Sequence, residues 1–298
     1  MPNSDTNRKT PDLRELTGLV NRYLDSVLPE SEAQEKGLEQ SMRYSLMAGG
    51  KRIRPLLALL FADLLGAEPE TVLPAACAIE MIHTYSLIHD DLPCMDNDTL
   101  RRGKPTNHVV YGECTATLAG DALQALAFSE LLHSGLPSDR AVRCGAILAD
   151  AAGCRGMCLG QYLDMLGEGK QLTAAELDRI NDNKTGALLA CACRMGVAAA
   201  GGTEDQLRSA EKFGYRLGLA FQIRDDILDV VSTDAELGKS VGSDAEENKN
   251  TYMVLLGKDA CEKEVARLTE EAVAELEKTF TGTEALTALA RSLVNRKN

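Results

Sequence analysis

The chain has 298 residues, of which 44% are hydrophobic and 4% aromatic, and it contains no tryptophan. Its net charge of −13 argues against nucleic acid or an anionic membrane surface as the main partner. The nine cysteines lack the spacing of a zinc site, and an odd number without an export signal favours a reducing cytoplasm. No apolar run approaches ~18 residues, so we expect a soluble protein without a membrane anchor.

Helical periodicity dominates the chain from its first apolar residues onwards. Residues 1–11 are polar and predicted to be flexible, and apolar residues recur at helical steps from Leu13. A second helix is predicted after Pro29, ending at Gly49-Gly50. We find no credible strand, no glycine-rich nucleotide loop and no Ser/His/Asp constellation, so the pattern predicts an all-α protein.

A basic segment precedes the third predicted helix. Lys51, Arg52 and Arg54 lie directly before or beside Pro55, which opens an apolar helix. Helix N-termini and flanking cations favour anions, so this segment is a candidate diphosphate anchor. A basic loop on the surface of an acidic protein is the alternative.

The first acidic segment follows a long apolar helix. His83 and Asp90 share a helix face, because seven residues make nearly two turns. Pro93 disfavours helical geometry before it, so the helix should end just after Asp90-Asp91, and a loop can return Asp96 to Asp90. Acids at a helix C-terminus are disfavoured by the helix dipole, and a hard cation such as Mg²⁺ relieves them best. By itself, such a cluster is more often a solvated helix end.

Two long helices are predicted next, over 107–133 and 138–166, and the second carries Gly160-Gln161 and Asp164. The helix after them contains Lys184-Thr185-Gly186. Glycine inside a helical pattern costs about 1 kcal/mol relative to alanine, so a break or kink is expected there.

The second acidic segment closes a predicted helix over 207–229. Asp225 and Asp229 are four residues apart and lie on one helix face, with Gln222 on the same side. Like charges at this spacing destabilise a helix unless a cation lies between them. Two such segments suggest two walls of one cleft that holds a diphosphate through bridging metal ions. Residues 231–250 then form a polar, charged stretch predicted to be a mobile lid, and an amphipathic helix follows over 258–278.

DDLPCMD followed by RRG, and DDILD preceded by a glutamine, resemble the two aspartate-rich motifs of the trans-isoprenyl diphosphate synthases, most closely those of the bacterial farnesyl type. The resemblance spans roughly residues 49–252. It implies a single-domain isoprenoid-synthase bundle of ten or more helices around a central cavity, with 12–298 as the polyprenyl synthetase domain. It also implies a homodimer and Mg²⁺, about three ions per active site, with Mn²⁺ as a possible substitute.

The resemblance further implies roles for individual residues. Isopentenyl diphosphate would be bound by Lys51, Arg54, His83 and Arg102. The allylic diphosphate would be bound by Arg101, Lys184, Thr185, Gln222, Lys239 and Lys249, of which Lys184, Thr185, Gln222 and Lys239 are also catalytic. Metal ions would be bound by Asp90, Asp91, Asp96, Asp225, Asp226 and Asp229. Within that set, we expect Asp91, Asp226 and Asp229 to act through hydrogen bonds or water rather than as direct ligands.

The implied reaction condenses isopentenyl diphosphate with dimethylallyl or geranyl diphosphate to give farnesyl diphosphate, a C15 product. Tyr85 lies five residues before Asp90, about 7.5 Å lower on a helix. The aromatic Tyr85, the small Ser86 and the inserted Pro93-Cys94 resemble the farnesyl type. Helical-wheel arithmetic does not establish that the ring of Tyr85 faces the cavity. The surrounding LPCMDNDTLRRGKPTNH also resembles geranylgeranyl-forming relatives, which lack the aromatic.

Several alternatives remain at this point. The chain is also compatible with a geranylgeranyl or geranyl diphosphate synthase of the same family. A non-catalytic partner subunit of another prenyl synthase is disfavoured by the intact aspartates, and a terpene cyclase by the anchor at Lys51 and Arg54. A plain metal-binding helical protein would not explain the basic anchors.

Overall fold

The structure, a computed structural model, describes residues 11–28, 37–231 and 250–295, with only the backbone at position 231. Helices form nearly all of the regular structure in these ranges, as predicted. They are α1 (Leu13–Val27), α2 (Gly37–Leu46), α3 (Ile53–Asp63), α4 (Pro69–Asp90), α5 (Asn107–Tyr111), α6 (Glu113–Leu132), α7 (Ser138–Ala152), α8 (Met157–Gly167), α9 (Ala174–Asn181), α10 (Ala187–Ala200), α11 (Glu204–Val231), α12 (Tyr252–Leu256), α13 (Lys258–Glu277) and α14 (Glu284–Val294).

Two predicted helices are each divided in the structure. The helix predicted over 107–133 breaks at Gly112, whose positive φ of 84° separates α5 from α6. The helix predicted over 138–166 stops at Ala152 and resumes at Met157, with a turn between them. Glycines lie in both interruptions, because they adopt backbone conformations that other residues avoid.

One short β-ribbon corrects the expectation that the chain has no strand. Strand β1 (Leu100–Arg101) pairs antiparallel with β2 (Lys104–Pro105). Arg102 and Gly103 form the turn, with positive φ values of 53° and 73°. Four residues in two strands are too few to give an alternating hydrophobic pattern, so periodicity could not reveal them.

Helices α4 and α10 form the centre of the bundle. Helix α4 packs against α3 and α6, and α10 packs against α3, α7 and α11. Among the described helices, α4 is the one long and apolar enough to cross a membrane by composition, and 78% of its apolar window is buried. Burial among neighbouring helices explains that composition, so α4 is a core helix.

The contact between α10 and α3 depends on a glycine. A Cβ atom at Gly196 would lie 2.1 Å from the backbone oxygen of Ala58 and 2.9 Å from Cβ of Phe61. Phe61 in turn packs edge-on against Phe213, with ring centroids 5.4 Å apart. The absence of a side chain at Gly196 therefore sets the distance between two core helices.

We expect Gly196→Ala to lower the free energy of unfolding by about 2 kcal/mol or more, because the new methyl group must push backbone away from backbone. Gly145→Ala is the matched control, since its Cβ would meet only Leu131 at an ordinary 3.9 Å. The control should be neutral or stabilising by about 0.5–1 kcal/mol. Urea denaturation measures both, and equal stabilities for the two variants would contradict the packing described.

Candidate active site

A cavity of about 1580 Å³ lies at the centre of the bundle. Its walls come from α4, α8, α11, the start of α10 and the loops before α3 and around the β-ribbon. Acidic side chains, basic side chains and apolar side chains occupy different parts of its lining. The predicted central cavity is therefore present among the described residues, with the charge pattern that the motifs indicated.

The first acidic wall forms where α4 ends. The helix stops at Asp90 as predicted, and the loop folds back so that the backbone N–H of Asp96 donates to the backbone oxygen of Asp90, 2.9 Å away. Asp90 and Asp96 both line the cavity. Asp91 does not: it is 3% exposed, and Nε of Arg101 donates to its Oδ1 at 2.7 Å. Asp91 therefore orients Arg101, which itself borders the cavity.

The carboxyl group of Asp90 is held in an unfavourable environment. Burial is the main cause that raises the pKa of Asp90 to about 6; the charges of Asp96 and Asp91 add to it, and those of Lys184 and Arg101 oppose it. The protein thus keeps at its cavity wall a carboxylate that lacks sufficient positive charge around it. A cation bound there would remove the unfavourable interaction.

The second acidic wall comes from α11. Gln222 and Asp225 on this helix also line the cavity. Asp226 points away from it and is 5% exposed: its Oδ1 accepts from Nε2 of Gln222 at 3.1 Å, and its Oδ2 accepts from the backbone N–H of Tyr252 at 2.7 Å. Asp229 is also buried, at 4% exposure, and does not border the cavity.

The six acids that the resemblance assigns to metal binding therefore divide into two groups. Asp90, Asp96 and Asp225 border the cavity, whereas Asp91, Asp226 and Asp229 lie behind it. That the second group acts through hydrogen bonds or water rather than as direct ligands stays a prediction.

The predicted break at Lys184-Thr185-Gly186 is a single turn of π-helix over Asp182–Gly186. A π-turn inserts an extra residue, and here it leaves Lys184 and Thr185 in the cavity lining. Nζ of Lys184 lies 2.6 Å from Oδ2 of Asp164, and Oγ1 of Thr185 donates to Oε1 of Gln222 at 3.1 Å. Burial would lower the pKa of Lys184, but Asp164 and Asp90 outweigh burial and raise it, so the amine stays charged.

Helix α8 approaches this π-turn through Gly160. A Cβ atom at that position would lie 2.1 Å from the backbone nitrogen of Lys184. The close approach brings Asp164, one turn further along α8, within reach of Lys184. The sequence pattern containing Gly160 and Asp164 thus serves to position the lysine, a role that the predicted site did not include.

The basic end of the cavity gathers residues from three parts of the chain. Lys51, Arg54, His83 and Arg102 all line it. Burial lowers the pKa of Arg54 to about 10, with Glu80 opposing and Arg102 adding to the effect. Burial, followed by the charges of Arg54 and Arg102, lowers the pKa of His83 well below its usual value. His83 is therefore neutral at pH 7 and acts here as a hydrogen-bonding group rather than as a cation.

Sequence analysis missed Glu80 at this end of the cavity and the pairing of Glu80 with Arg52. Arg52 and Glu80 form an ion pair with an N–O distance of 2.8 Å, and each side chain is at most 3% exposed. Glu80 is the single acid within the apolar stretch 71–88, which was a usable signal. A charged side chain in a core helix needs a partner, and the neighbouring basic segment contains several candidates.

The apolar part of the cavity includes Tyr85. The sequence alone did not establish whether this residue faces the cavity. The ring borders the cavity and is 5% exposed, and its hydroxyl lies 3.5 Å from Sγ of Cys158 on α8. His89 packs edge-on against it, with ring centroids 5.7 Å apart. Ser86 borders the cavity beside it. Contacts from α4 and α8 therefore hold Tyr85 in the cavity lining.

Lys239 and Lys249 lie outside the described residues, as do Arg296 and Lys297 at the end of the chain. The assignment of Lys239 and Lys249 to the allylic diphosphate stays a prediction.

The carboxylates that border the cavity suit Mg²⁺ only when other oxygen atoms, from water or a bound phosphate, complete its coordination. Among the described residues, no group of three or more His, Cys, Asp or Glu side chains is close enough to hold a metal ion. Mg²⁺ commonly takes one or two carboxylates, several waters and the oxygens of a bound phosphate. Asp90 and Asp96 on one wall, and Asp225 on the other, fit that mode of binding.

The fold and the cavity define an all-helical protein suited to anions with several phosphate oxygens. A family model described as polyprenyl synthetase matches residues 35–289. The chain belongs to the polyprenyl synthetase family.

The similar proteins come from several lineages. A farnesyl diphosphate synthase of Haemophilus influenzae is 43% identical over 290 residues, covering 96% of this chain and 98% of its own. One from Geobacillus stearothermophilus is 49% identical and covers 85% and 86%. A farnesyl/geranylfarnesyl (FPP/GFPP) synthase structure from Zymomonas mobilis has a TM-score of 0.83 at 35% identity, covering 95% of this chain and 97% of that one. Geranylgeranyl diphosphate synthases are also among the relatives.

We expect Asp90→Asn to stabilise the metal-free protein at neutral pH. The folded-state pKa lies above the ordinary 3.8, so ionisation opposes folding. This penalty is absent below about pH 4, grows up to about pH 6 and is complete above it. The variant should raise Tm at pH 7.5 by about 2 °C and leave it unchanged near pH 3.5.

Thermal unfolding of both proteins at the two pH values, without divalent metal, measures this effect. Asp150→Asn is the control, because Asp150 is an exposed acid on α7 whose partner Arg155 is also exposed. A lower Tm for Asp90→Asn at pH 7.5 would contradict the electrostatic description.

Proposed function

We propose that this protein is a farnesyl diphosphate synthase-type prenyltransferase that condenses isopentenyl diphosphate with dimethylallyl or geranyl diphosphate. One observation carries the proposal: a single cavity has acidic walls on two helices, a separate basic end and an apolar floor. Two diphosphates need two distinct sites, and their hydrocarbon tails need apolar space between or below them. The farnesyl diphosphate synthases among the relatives support the same activity.

The allylic diphosphate is assigned to the space between the acidic walls. Mg²⁺ held by Asp90, Asp96 and Asp225 would neutralise that diphosphate as a leaving group. Lys184 places a charged amine at the same wall, where Asp164 holds it. Arg101 is fixed by Asp91, and Thr185 is fixed by Gln222, so neither needs to reorganise when the substrate binds.

Isopentenyl diphosphate is assigned to the basic end. Lys51, Arg54 and Arg102 provide positive charge, and neutral His83 provides a hydrogen bond. With the diphosphates bound in these two regions, the double bond of isopentenyl diphosphate would approach C1 of the allylic substrate.

The reaction then follows from where charge is stabilised. The C1–O bond of the allylic substrate breaks because the cation is delocalised and the departing diphosphate lies among positive groups. The double bond of isopentenyl diphosphate attacks C1, and a proton leaves to the released diphosphate. No protein base is needed: the lowered pKa of His83 makes it a weak base, and the acids of the cavity wall are assigned to Mg²⁺.

The chain-length proposal rests on Tyr85. A fixed aromatic ring below Asp90 limits the depth available to a growing chain, which favours C15. A C20-forming synthase of the same family is the main alternative. A non-catalytic subunit is disfavoured, because both acidic walls and the cationic groups of the described residues are in place.

We also propose a cytoplasmic homodimer. The exposed faces of α6 and α7 carry large apolar side chains, namely Leu118, Leu132 and Val142, with exposures of 51%, 58% and 64%. These side chains are candidates for burial in a subunit interface.

Incubation with labelled isopentenyl diphosphate and dimethylallyl diphosphate, with and without Mg²⁺, followed by sizing of the dephosphorylated products, tests the function. We expect a Mg²⁺-dependent C15 alcohol. The absence of product with every allylic primer would refute the proposed enzymatic activity and favour the alternative of a non-catalytic partner subunit.

We expect Tyr85→Ala to shift the product towards C20 and longer chains, because removal of the ring opens the floor. Tyr85→Phe keeps the ring, loses the contacts of the hydroxyl with Cys158 and Gln124, and should retain mostly C15. Product distributions at equal substrate conversion measure the change. An unchanged C15 product from Tyr85→Ala would remove the assignment of Tyr85 as the floor.

We expect Asp225→Asn to lower kcat at least about 100-fold while the protein stays folded, because one acidic wall loses its charge. Excess Mg²⁺ should restore part of the activity if the loss is in metal affinity. Asp205→Asn, at the exposed start of the same helix, is the control and should keep its turnover. Full activity of Asp225→Asn would disprove the two-wall site.

A further inference from the structure

Glu80 lies at the basic end of the cavity, ten residues before Asp90 on the same helix, and the reaction described above does not use it. We propose that Glu80 is a positioning residue for isopentenyl diphosphate. The carboxylate of Glu80 holds Arg52 and balances the charge of the cations around Arg52. The inference rests on the proposed function, because that proposal assigns the basic end to this substrate.

The Arg52 side chain is fixed on three sides. Its Nη1 donates to Oε1 of Glu80 at 2.8 Å, and its Nη2 donates to the backbone oxygen of Leu46, also at 2.8 Å. Its Nε donates to Oδ1 of Asn21 at 3.0 Å. These bonds join the loop before α3 to α1, α2 and α4, so Arg52 cannot move independently of the bundle.

The backbone of Arg52 adopts a conformation that needs such support. Its φ of 51° and ψ of 36° lie in the left-handed region, although the residue is not glycine. Left-handed non-glycine residues cost of order 1–3 kcal/mol and persist only when their surroundings hold them. Arg52 is also the residue before the first turn of α3. Its backbone conformation therefore sets the directions in which the side chains of Lys51 and Arg54 point. Both of these side chains reach the cavity.

Glu80 also acts on cations that it does not bond. It favours the charged form of Arg54 and of Arg102, against burial and against their mutual repulsion. The other groups that act on Arg54 or lie beside it are His83 on α4, Arg102 in the ribbon turn and Cys191 on α10. Glu80 is the single full negative charge in that set. Without substrate, therefore, Glu80 is the carboxylate that offsets the charge of Arg54, and it acts together with Asp91 on Arg102.

The buried Nε of Arg54 supports this dependence. It has no hydrogen-bond partner among the described residues. Arg54 is thus less constrained by direct bonds than Arg52 is, and the balance of charge around it matters more for its position. A buried ion pair with a purely structural role would affect stability alone, whereas this pair lies in the wall of a substrate site.

Glu80→Gln is the first test, because glutamine keeps an oxygen that can accept from Arg52 and removes only the charge. We expect KM for isopentenyl diphosphate to rise at least about tenfold, while KM for the allylic substrate changes less than about twofold. The pH profile of kcat/KM for isopentenyl diphosphate should change as well. Glu80 raises the pKa of Arg54, so its removal should move the alkaline limb of the profile towards lower pH. Glu70→Gln, in the exposed first turn of α4, is the matched control.

The double variant Arg52→Gln/Glu80→Gln tests whether Glu80 acts on the substrate site through its charge or only stabilises the fold. It also provides this test if the single variant fails to fold. Two neutral amides restore the balance of the buried pair and should recover stability. The raised KM and the shifted alkaline limb should persist, because Arg54 and Arg102 still lack their counter-charge. Recovery of the wild-type KM and pH profile in the double variant would overturn the proposal.

The outcomes also separate this inference from the proposed function. A wild-type protein that forms no product with any allylic primer refutes the function and the inference together. An active wild type whose Glu80→Gln variant keeps both its KM for isopentenyl diphosphate and its alkaline limb refutes the inference alone.

Discussion

Repulsion between like charges around one cavity is the constraint on which this structure depends. Asp90, Asp96 and Asp225 border the cavity, and so do Lys51, Arg54 and Arg102 at its basic end. Neither group is fully balanced by the protein itself, as the raised pKa of Asp90 and the lowered pKa of Arg54 indicate. A site that binds diphosphates with metal ions needs excess negative charge for the metal ions and excess positive charge for the diphosphate. The rest of the bundle has to be stable enough to keep both groups of charges in place.

The bundle places these charges through interruptions in its helices. Helix α4 stops at Asp90, and the loop returns Asp96 to it; a π-turn interrupts the chain before α10 and directs Lys184 and Thr185 inward. Uninterrupted helices would have spread these side chains around their circumference. Around each interruption, acids that do not border the cavity hold the residues that do: Asp91 holds Arg101, and Asp164 holds Lys184.

The sequence predicted the all-α fold, the end of α4 and the break at Lys184-Thr185-Gly186, because each depends on local periodicity, proline or glycine. It also identified the cavity-lining acids and the basic end, because their motifs are compact. It did not predict the orientation of Tyr85, which depends on how α8 packs against α4. Nor did it predict the pairing of Arg52 with Glu80, because partners 28 residues apart leave no mark on periodicity.

The bonds of Asp226 have a mechanical consequence. One oxygen of this carboxylate accepts from Gln222, and the other accepts from the backbone of Tyr252, the first residue of α12. Tyr252 also donates its hydroxyl to Asp178 on α9 at 2.6 Å. Any displacement of the chain near Tyr252 is therefore transmitted through one rigid carboxylate to the amide that orients Thr185. The Asp226 side chain thus connects the first residue of α12 to the π-turn.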